Sequence, residues 1–457
     1  MANVSTKRSG LDMTQGNAFK LIIKYSLPLL CGNILQQFYN MVDSYVVGNF
    51  ATNGDLALAA VGTAGPIMFL VSALFMGLST GVTVLVAQRY GANDIKNIRN
   101  AANTAYSLII PVGVGLAAIF ILLLPLLIKA MNIPMEIRQD SYNYAVICLA
   151  VLIGPLGYNV NTGIMQGMGD TRTPLILLCI STVMNIILDT LFVVAFHWDT
   201  MGVAAATVIA QTFSWVCGIF IINHRYKDIL HINPFCFRVN GAMLREILRI
   251  GIPSSIQMAS ISLGNMVIQR DINSNGAFFA AGANCAHRID SFVILPAQTF
   301  SNAVTTFVGQ NFGARKLDRF KHGIKAGITY SMISTVIFGG LTYIFAEELI
   351  GIFNKNPEVV AAGAGYLQIL TPFYFIIALM FIFCGIIRGT GHVMVTMAAM
   401  ITAQCVMRVI ACKIINHLVG GISIFYSFPI GWFFGCAIVM TYFFIGSWRK
   451  VEDKKLD

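Results

Sequence analysis

Two carboxylates, an amide and a hydroxyl stand at spacings that would bring them to one level: Asp43, Asn185, Asp189 and Thr207. Asp43 comes six residues before Asn49, where an apolar stretch ends, and Asp189 comes eight before His197 at the end of another. Thr207 follows Asp199 by eight residues, at the start of the next. If these stretches are helices, a rise of ~1.5 Å per residue puts all three roughly 9–12 Å inside the same end. Asn185 is one helical turn before Asp189 and shares its face. Hard oxygen donors of this kind suit Na⁺, and two nearby carboxylates suit a shared proton because like charges disfavour full ionisation. The plainer reading is two structural acids held by local hydrogen bonds. It is weakened by the surrounding apolar stretches of the first half, which hold no Lys or Arg near these residues to pair them, Lys24 standing at the far end of its stretch.

The elements that carry these residues follow from composition. Of 457 residues, 56% are hydrophobic and 11% charged, roughly half the charged share of a soluble domain. Apolar residues come in blocks of about twenty or more, the length a helix needs to cross hydrocarbon. Lipid requires every backbone polar group to be satisfied internally, which leaves helices or a closed barrel. Uninterrupted runs such as 107–128 lack the alternation of barrel strands. The sequence therefore predicts an all-α membrane protein with twelve spans, near 21–47, 56–87, 101–128, 141–165, 173–196, 201–222, 246–269, 278–310, 324–345, 358–387, 393–412 and 424–447.

The net charge of +10 resembles a nucleic-acid footprint until its placement is read. Of the 30 Lys and Arg, 23 fall at span ends and loops on one side, among them Lys7, Arg8, Lys450, Lys454 and Lys455. Five (Lys129, Arg138, Arg270, Lys355 and Lys413) fall on the other, and Arg288 and Arg408 lie within spans. The positive-inside rule then puts both termini in the cytoplasm. Anionic headgroups are the expected contact, and no nucleic-acid partner is expected, since no contiguous basic face exists. The ten cysteines are scattered with no CxxC spacing, so neither metal nor a disulfide framework is read from them. The polar first sixteen residues lack a signal-peptide core, which makes the first span a candidate uncleaved signal-anchor.

The chain repeats itself. "VAQRYGA" at 86–92 returns as "VGQNFGA" at 308–314, and "IMQGMGD" at 164–170 as "IIRGTGH" at 386–392, both 222 residues on. Pro28 meets Pro253 at an offset of 225. Six spans per half is an even number, so the repeats face the same way, one of the two recurrent transporter plans. The expected organisation is an N-terminal lobe over 1–222, a basic linker over 223–245 containing Pro234, and a C-terminal lobe over 246–457.

Charge within spans costs about 2.5–3.5 kcal/mol per residue on insertion scales, so each instance is a functional candidate. The second half offers His287, Arg288 and Asp290 in its second span and Arg408 in its fifth. His287 and Asp290, at i,i+3, can meet on one face. A structural ion-pair cluster and a substrate or proton site both remain open for this group. Gln36, Tyr39, Asn159 and Asn161 are candidate cavity residues, with bridging between helices as the alternative. Proline frees a carbonyl and bends a helix, and Pro28 is the candidate hinge because it shares a span with Asp43.

At this point the residues resemble a family. "LPLLCGNILQQFYNMVDSYVVG" at 27–48, "QRYGA" at 88–92, "QGMGDTRTP" at 166–174 and "MNIILD" at 184–189 look like the multidrug and toxic compound extrusion (MATE) family, over about residues 15 to 447. The resemblance implies a cation-coupled efflux antiporter of two six-helix lobes in a bacterial inner membrane. It implies export of bulky, often cationic organic compounds in exchange for H⁺ or Na⁺, with no cofactor and no enzymatic step. Resemblance to the DinF-like branch implies a proton or sodium site at Asp43, Asn185, Asp189 and Thr207, and a helix-bending proline at Pro28. The NorM-like branch places a carboxylate in the seventh span, and residues 250–268 contain none. A flippase for lipid-linked saccharides is the alternative; it would need a cationic cavity, which the first half does not offer. An embedded enzyme would need an HExxH or DDxxD-like grouping, and none appears. A monomer is expected.

Overall fold

The computed structural model describes residues 10–131, 133–233 and 237–446. Lys7, Arg8, Pro234, Arg449, Lys450, Lys454 and Lys455 lie outside the described residues. The chain runs through α1 (Ala18–Phe50), α2 (Gly54–Gly91), α3 (Ile95–Ala130), α4 (Met135–Ala150), α5 (Ile153–Gly167), α6 (Arg172–Asp189) and α7 (Asp199–Arg225). It continues with α8 (Gly241–Asn273), α9 (Ala277–Gly313), α10 (Asp318–Ile344), α11 (Ala346–Gly351), α12 (Pro357–Leu370) and α13 (Tyr374–Gly389). The last three are α14 (Val393–Ile401), α15 (Arg408–Leu418) and α16 (Ser427–Ile445). These make twelve membrane-spanning passes, because three passes are broken helices. The fourth is α4 and α5, bent by 52°. The tenth joins α12 and α13 through a 3₁₀ turn at Thr371–Phe373, and the eleventh joins α14 and α15 through a π-helical turn at Thr402–Met407. By length and composition, nine described helices, or ten with the bent pair, are apolar enough to cross a membrane. α8 and α9 are as long but carry more polar residues.

Local chemistry explains the helix ends. Asp94 caps α3, its carboxylate accepting the Asn97 backbone N–H at 3.1 Å and the Asn97 side-chain amide at 2.7 Å. These hydrogen bonds hold the Asp94 carboxyl below the usual carboxylate range. A depressed carboxyl stabilises the fold above its unfolded value and loses that contribution as pH falls through the folded one. Asp94→Ala should therefore cost about 1 kcal/mol at neutral pH, with the difference in unfolding midpoint shrinking as the pH drops below about 4.

The described residues form two compact units: Gly10–Asp12 with Cys31–Ser255, and Met13–Leu30 with Ile256–Gly446. The stretch expected as a linker thus packs with unit 1, where Arg238 and Asn240 donate backbone N–H groups to Ser107 and Thr104 of α3 at 2.9 and 3.0 Å. The first turns of α1 pack with unit 2, where Tyr25 and Thr306 share a 2.9 Å hydrogen bond. Both α1 and α8 therefore pass from one unit to the other, and each crosses two residues after its proline, Pro28 or Pro253.

The sequence repeat is a repeat of contacts. In unit 1, Ser79 Oγ donates to the Asn159 carbonyl at 2.7 Å; in unit 2, Ser301 Oγ donates to the Phe381 carbonyl at 2.5 Å. A Cβ on Gly167 would stand 2.8 Å from the Thr83 carbonyl oxygen, and one on Gly389 would stand 2.7 Å from that of Thr305. Gly169 and Gly391 turn the chain at φ of 86° and 87°, where a side chain would be strained. Gly167→Ala and Gly389→Ala should each cost about 1–3 kcal/mol by overpacking, read as a lower unfolding midpoint of the detergent-solubilised protein.

Candidate functional site

Unit 1 contains two kinds of buried acid. Asp170 is the satisfied kind: it accepts from Tyr226 Oη and Thr173 Oγ1, both at 2.6 Å, and from the backbone N–H groups of Arg172 and Thr173. Arg225 Nε lies 3.6 Å away. Asp189 is the other kind. It and Asn185 are fully buried on the last turns of α6, yet beyond one another and Asp43 neither the oxygens of Asp189 nor the polar atoms of the Asn185 side chain have a hydrogen-bond partner. One oxygen of Asp43, on α1, is buried in the same condition. Asp43 and Asp189 are close enough to act strongly on one another, with Thr207 beside Asp43 and Asn185 beside Asp189. Tyr39, one turn before Asp43 and 5% exposed, donates to Thr207 Oγ1 at 3.1 Å.

Leaving a buried polar atom unpaired costs about 1–3 kcal/mol, and more when it is charged. Five such atoms on three neighbouring residues make a poor structural device, and the four that are oxygens, two of Asp189, one of Asp43 and one of Asn185, can receive a small cation or a proton. Among the described residues no group of three or more His, Cys, Asp or Glu could hold a metal ion, so the donor set is two carboxylates, an amide and a hydroxyl. A π-helical turn, Thr190–Ala195, follows Asp189 directly. Such wide turns recur at functional positions because they interrupt the regular hydrogen-bond ladder.

The other polar residues divide. Asn161 is fully buried; it accepts from Tyr106 Oη and donates to the Trp215 carbonyl at 2.9 Å, which ties α3, α5 and α7 together. This is the bridging alternative, so Asn161 is committed to packing. Asn159 is half-buried and donates to the Pro155 carbonyl one turn back at 2.9 Å. Gln36 is half-buried on α1, as is Pro28.

In unit 2, Asp290 accepts from Tyr374 Oη and, at 3.4 Å, from Tyr366 Oη. His287 Nδ1 lies 4.0 Å from its carboxylate. Arg408 is buried and donates to Gln404 Oε1 and Asn265 Oδ1, both at 2.6 Å, with its guanidinium 4.4 Å from the Phe428 ring centroid. Arg288 is exposed and takes no part in these hydrogen bonds. Asp290 is thus satisfied by tyrosines, whereas Arg408 is held by neutral amides and a ring while its Nε is buried with no partner.

Comparison with known proteins places this architecture. The MatE family model matches residues 28–191 and, a second time, residues 253–414. The chain belongs to the MatE family. The double match begins at Pro28 and at Pro253, the same pair of landmarks that marks the internal repeat. Among curated MatE relatives, the "Probable multidrug resistance protein YpnP" of Bacillus subtilis is 26% identical over 96% of this chain and 98% of its own. The "Probable multidrug resistance protein NorM" of Thermotoga maritima is also 26% identical, over 94% and 93%. The solved structure described as an outward-facing conformation of a multidrug resistance MATE family transporter matches with a TM-score of 0.88 at 22% identity, over 96% of this chain and 97% of that one. That likeness is one of fold. This MatE chain is accordingly a multi-pass membrane transporter.

Some of the contacts at these polar groups escaped sequence reasoning. The partnership of Tyr39 with Thr207 had a signal, since Tyr39 lies at i−4 from Asp43. The tyrosines on Asp290 had none: Tyr366 and Tyr374 flank a 3₁₀ turn inside what reads as one apolar run.

Proposed function

We propose that this chain is an antiporter that exports bulky, often cationic organic compounds in exchange for H⁺ or Na⁺. The observation that carries this reading is the unsatisfied acid pair Asp43 and Asp189, set in apolar surroundings with Asn185 and Thr207. A cation arriving there meets carboxylate oxygens whose cost of burial it removes. Its binding then favours whichever conformation closes around it, as any ligand shifts an equilibrium toward the state it binds better. The membrane potential adds about 2.3 kcal/mol per charge per 100 mV. Tyr39 orients Thr207 toward this task through its hydrogen bond. Pro28 is the place for a bend: having no amide N–H, it cannot donate to the carbonyl one turn back, and it lies on the same helix as Asp43. Names of curated relatives as probable multidrug resistance proteins support the cargo class. The charge bias supports a bacterial inner-membrane location with cytoplasmic termini, and the protein is read as a monomer of the DinF-like branch.

Dye efflux from proteoliposomes, with H⁺ and Na⁺ gradients imposed one at a time, tests the proposal. One gradient should drive efflux and the other should not. Efflux that proceeds equally well with neither gradient would sink it.

A further inference from the structure

In unit 2, α9 carries a polar stripe that its repeat partner α2 lacks. Between Asn284 and Asn302, α9 has seven exposed positions, and six are polar: Asn284, His287, Arg288, Ser291, Gln298 and Asn302, with Phe292 the exception. Most recur every three or four residues and so run down one side of the helix over about 27 Å. The repeat-related stretch of α2, 62–80, also has seven exposed positions, and there only Ser72 is polar; the others are Gly62, Gly65, Pro66, Phe69, Leu70 and Met76. A row of amides and charges along a spanning helix is too costly to face lipid and belongs against water or a polar ligand.

The stripe is basic at both ends. His287 and Arg288 stand near one end, and Asn302 at the other accepts from Arg388 Nη1 of α13 at 3.4 Å. Arg388 is only 7% exposed, and its Nε is buried with no partner. Among the described residues it forms no ion pair with a carboxylate. A guanidinium with five donors and one long hydrogen bond to a neutral amide is underused. Fork-shaped donors of this kind match carboxylate and phosphate oxygens. The repeat partner of Arg388 is Gln166, so unit 1 has no counterpart charge.

We infer that the polar face of α9, with Arg388 and Asn302 at one end, binds an anionic group, carboxylate or phosphate, carried by the exported compound. The inference rests on the efflux reading and narrows its cargo to molecules that bear such a group, alone or beside a cationic one. The full-length protein in phosphatidylcholine vesicles should then move carboxyfluorescein, an anion, as well as ethidium, a cation. Asn302→Asp sets a like charge beside the anion's place at an exposed position that the fold tolerates; carboxyfluorescein efflux should fall about tenfold or more while ethidium efflux stays within about twofold. Arg388→Gln, which copies Gln166, should show the same selective loss. If wild-type protein moves ethidium but not carboxyfluorescein, or if Asn302→Asp slows both dyes alike, the inference is wrong and the efflux reading stands. If neither dye moves, the efflux reading fails first. Phosphatidylglycerol that copurifies with wild type but not with Asn302→Asp, with dye efflux unchanged, would assign these groups to a lipid headgroup and overturn the cargo assignment.

Discussion

Asp189→Asn should abolish the coupling of dye efflux to the ion gradient while leaving the protein as stable as wild type. The two halves of that expectation come from one observation: Asp189 is fully buried and has no hydrogen-bond partner beyond Asp43 and Asn185. An amide has nearly the size and shape of the carboxyl it replaces and removes no hydrogen bond to the rest of the fold, so the unfolding midpoint in detergent should hold. Function should move the other way. Coupling free energies run about 1–3 kcal/mol, which corresponds to roughly 5- to 150-fold in the effect of the bound ion on the affinity for cargo, and that dependence should vanish in the variant. Asp43→Asn should show the same kinetic loss, and the double variant should lose little more, because two groups serving one ligand act as a unit. Asp170→Asn is the contrasting case: that acid accepts from Tyr226, Thr173 and two backbone amides, so its loss should lower stability. Full gradient-driven efflux in Asp189→Asn, or a collapse of its unfolding midpoint, would remove Asp189 from the coupling site.

A second large effect is expected at Gly77. The first half of α8 lies against α2, and a Cβ at Gly77 would stand 2.0 Å from Ser255 Oγ, 2.4 Å from Ser255 N and 2.7 Å from the Gly251 carbonyl oxygen. Two of these are backbone atoms inside a helix and cannot step aside. Gly77→Leu should exceed the roughly 1–3 kcal/mol usual for overpacking, and most of the extracted protein should leave the monodisperse peak in size-exclusion chromatography. Gly62→Leu, where nothing lies within 4 Å of the added carbon, should elute as wild type does. Equal profiles for the two variants would mean that α8 does not need α2 at this point.

The passes were legible because hydrocarbon imposes a length and a composition, and both are written into any single stretch of sequence. The grouping of Asp43, Asn185, Asp189 and Thr207 was legible for a related reason: depth can be counted from the end of an apolar block. The orphaned state of Asp189 was not legible, because it depends on what the neighbouring helices fail to offer, and Asp170 has the same side chain with the opposite outcome. The breaks at Val151 and Thr371 had a signal in Pro155 and Pro372, but a proline inside an apolar run marks a bend without giving its size, and the turn at Thr402–Met407 had none, since it holds neither Gly nor Pro. The stripe on α9 was readable in principle. Asn284, His287, Ser291, Gln298 and Asn302 stand at spacings of three, four and seven, but only their exposure separates them from buried neighbours such as Thr299 and Thr305.

The passage of α1 and α8 between the units has a consequence for the order in which the chain is made. When a ribosome has delivered the first 222 residues, neither unit is whole: unit 1 still awaits 241–255, the segment that covers Gly77 and Gly81, and residues 13–30 have no partner surface at all. Those early residues must wait for Thr306, Gln310 and Asn311, synthesised nearly three hundred positions later. Cutting the gene between residues 222 and 223 should therefore yield two fragments that are degraded when expressed singly and rescued when expressed together.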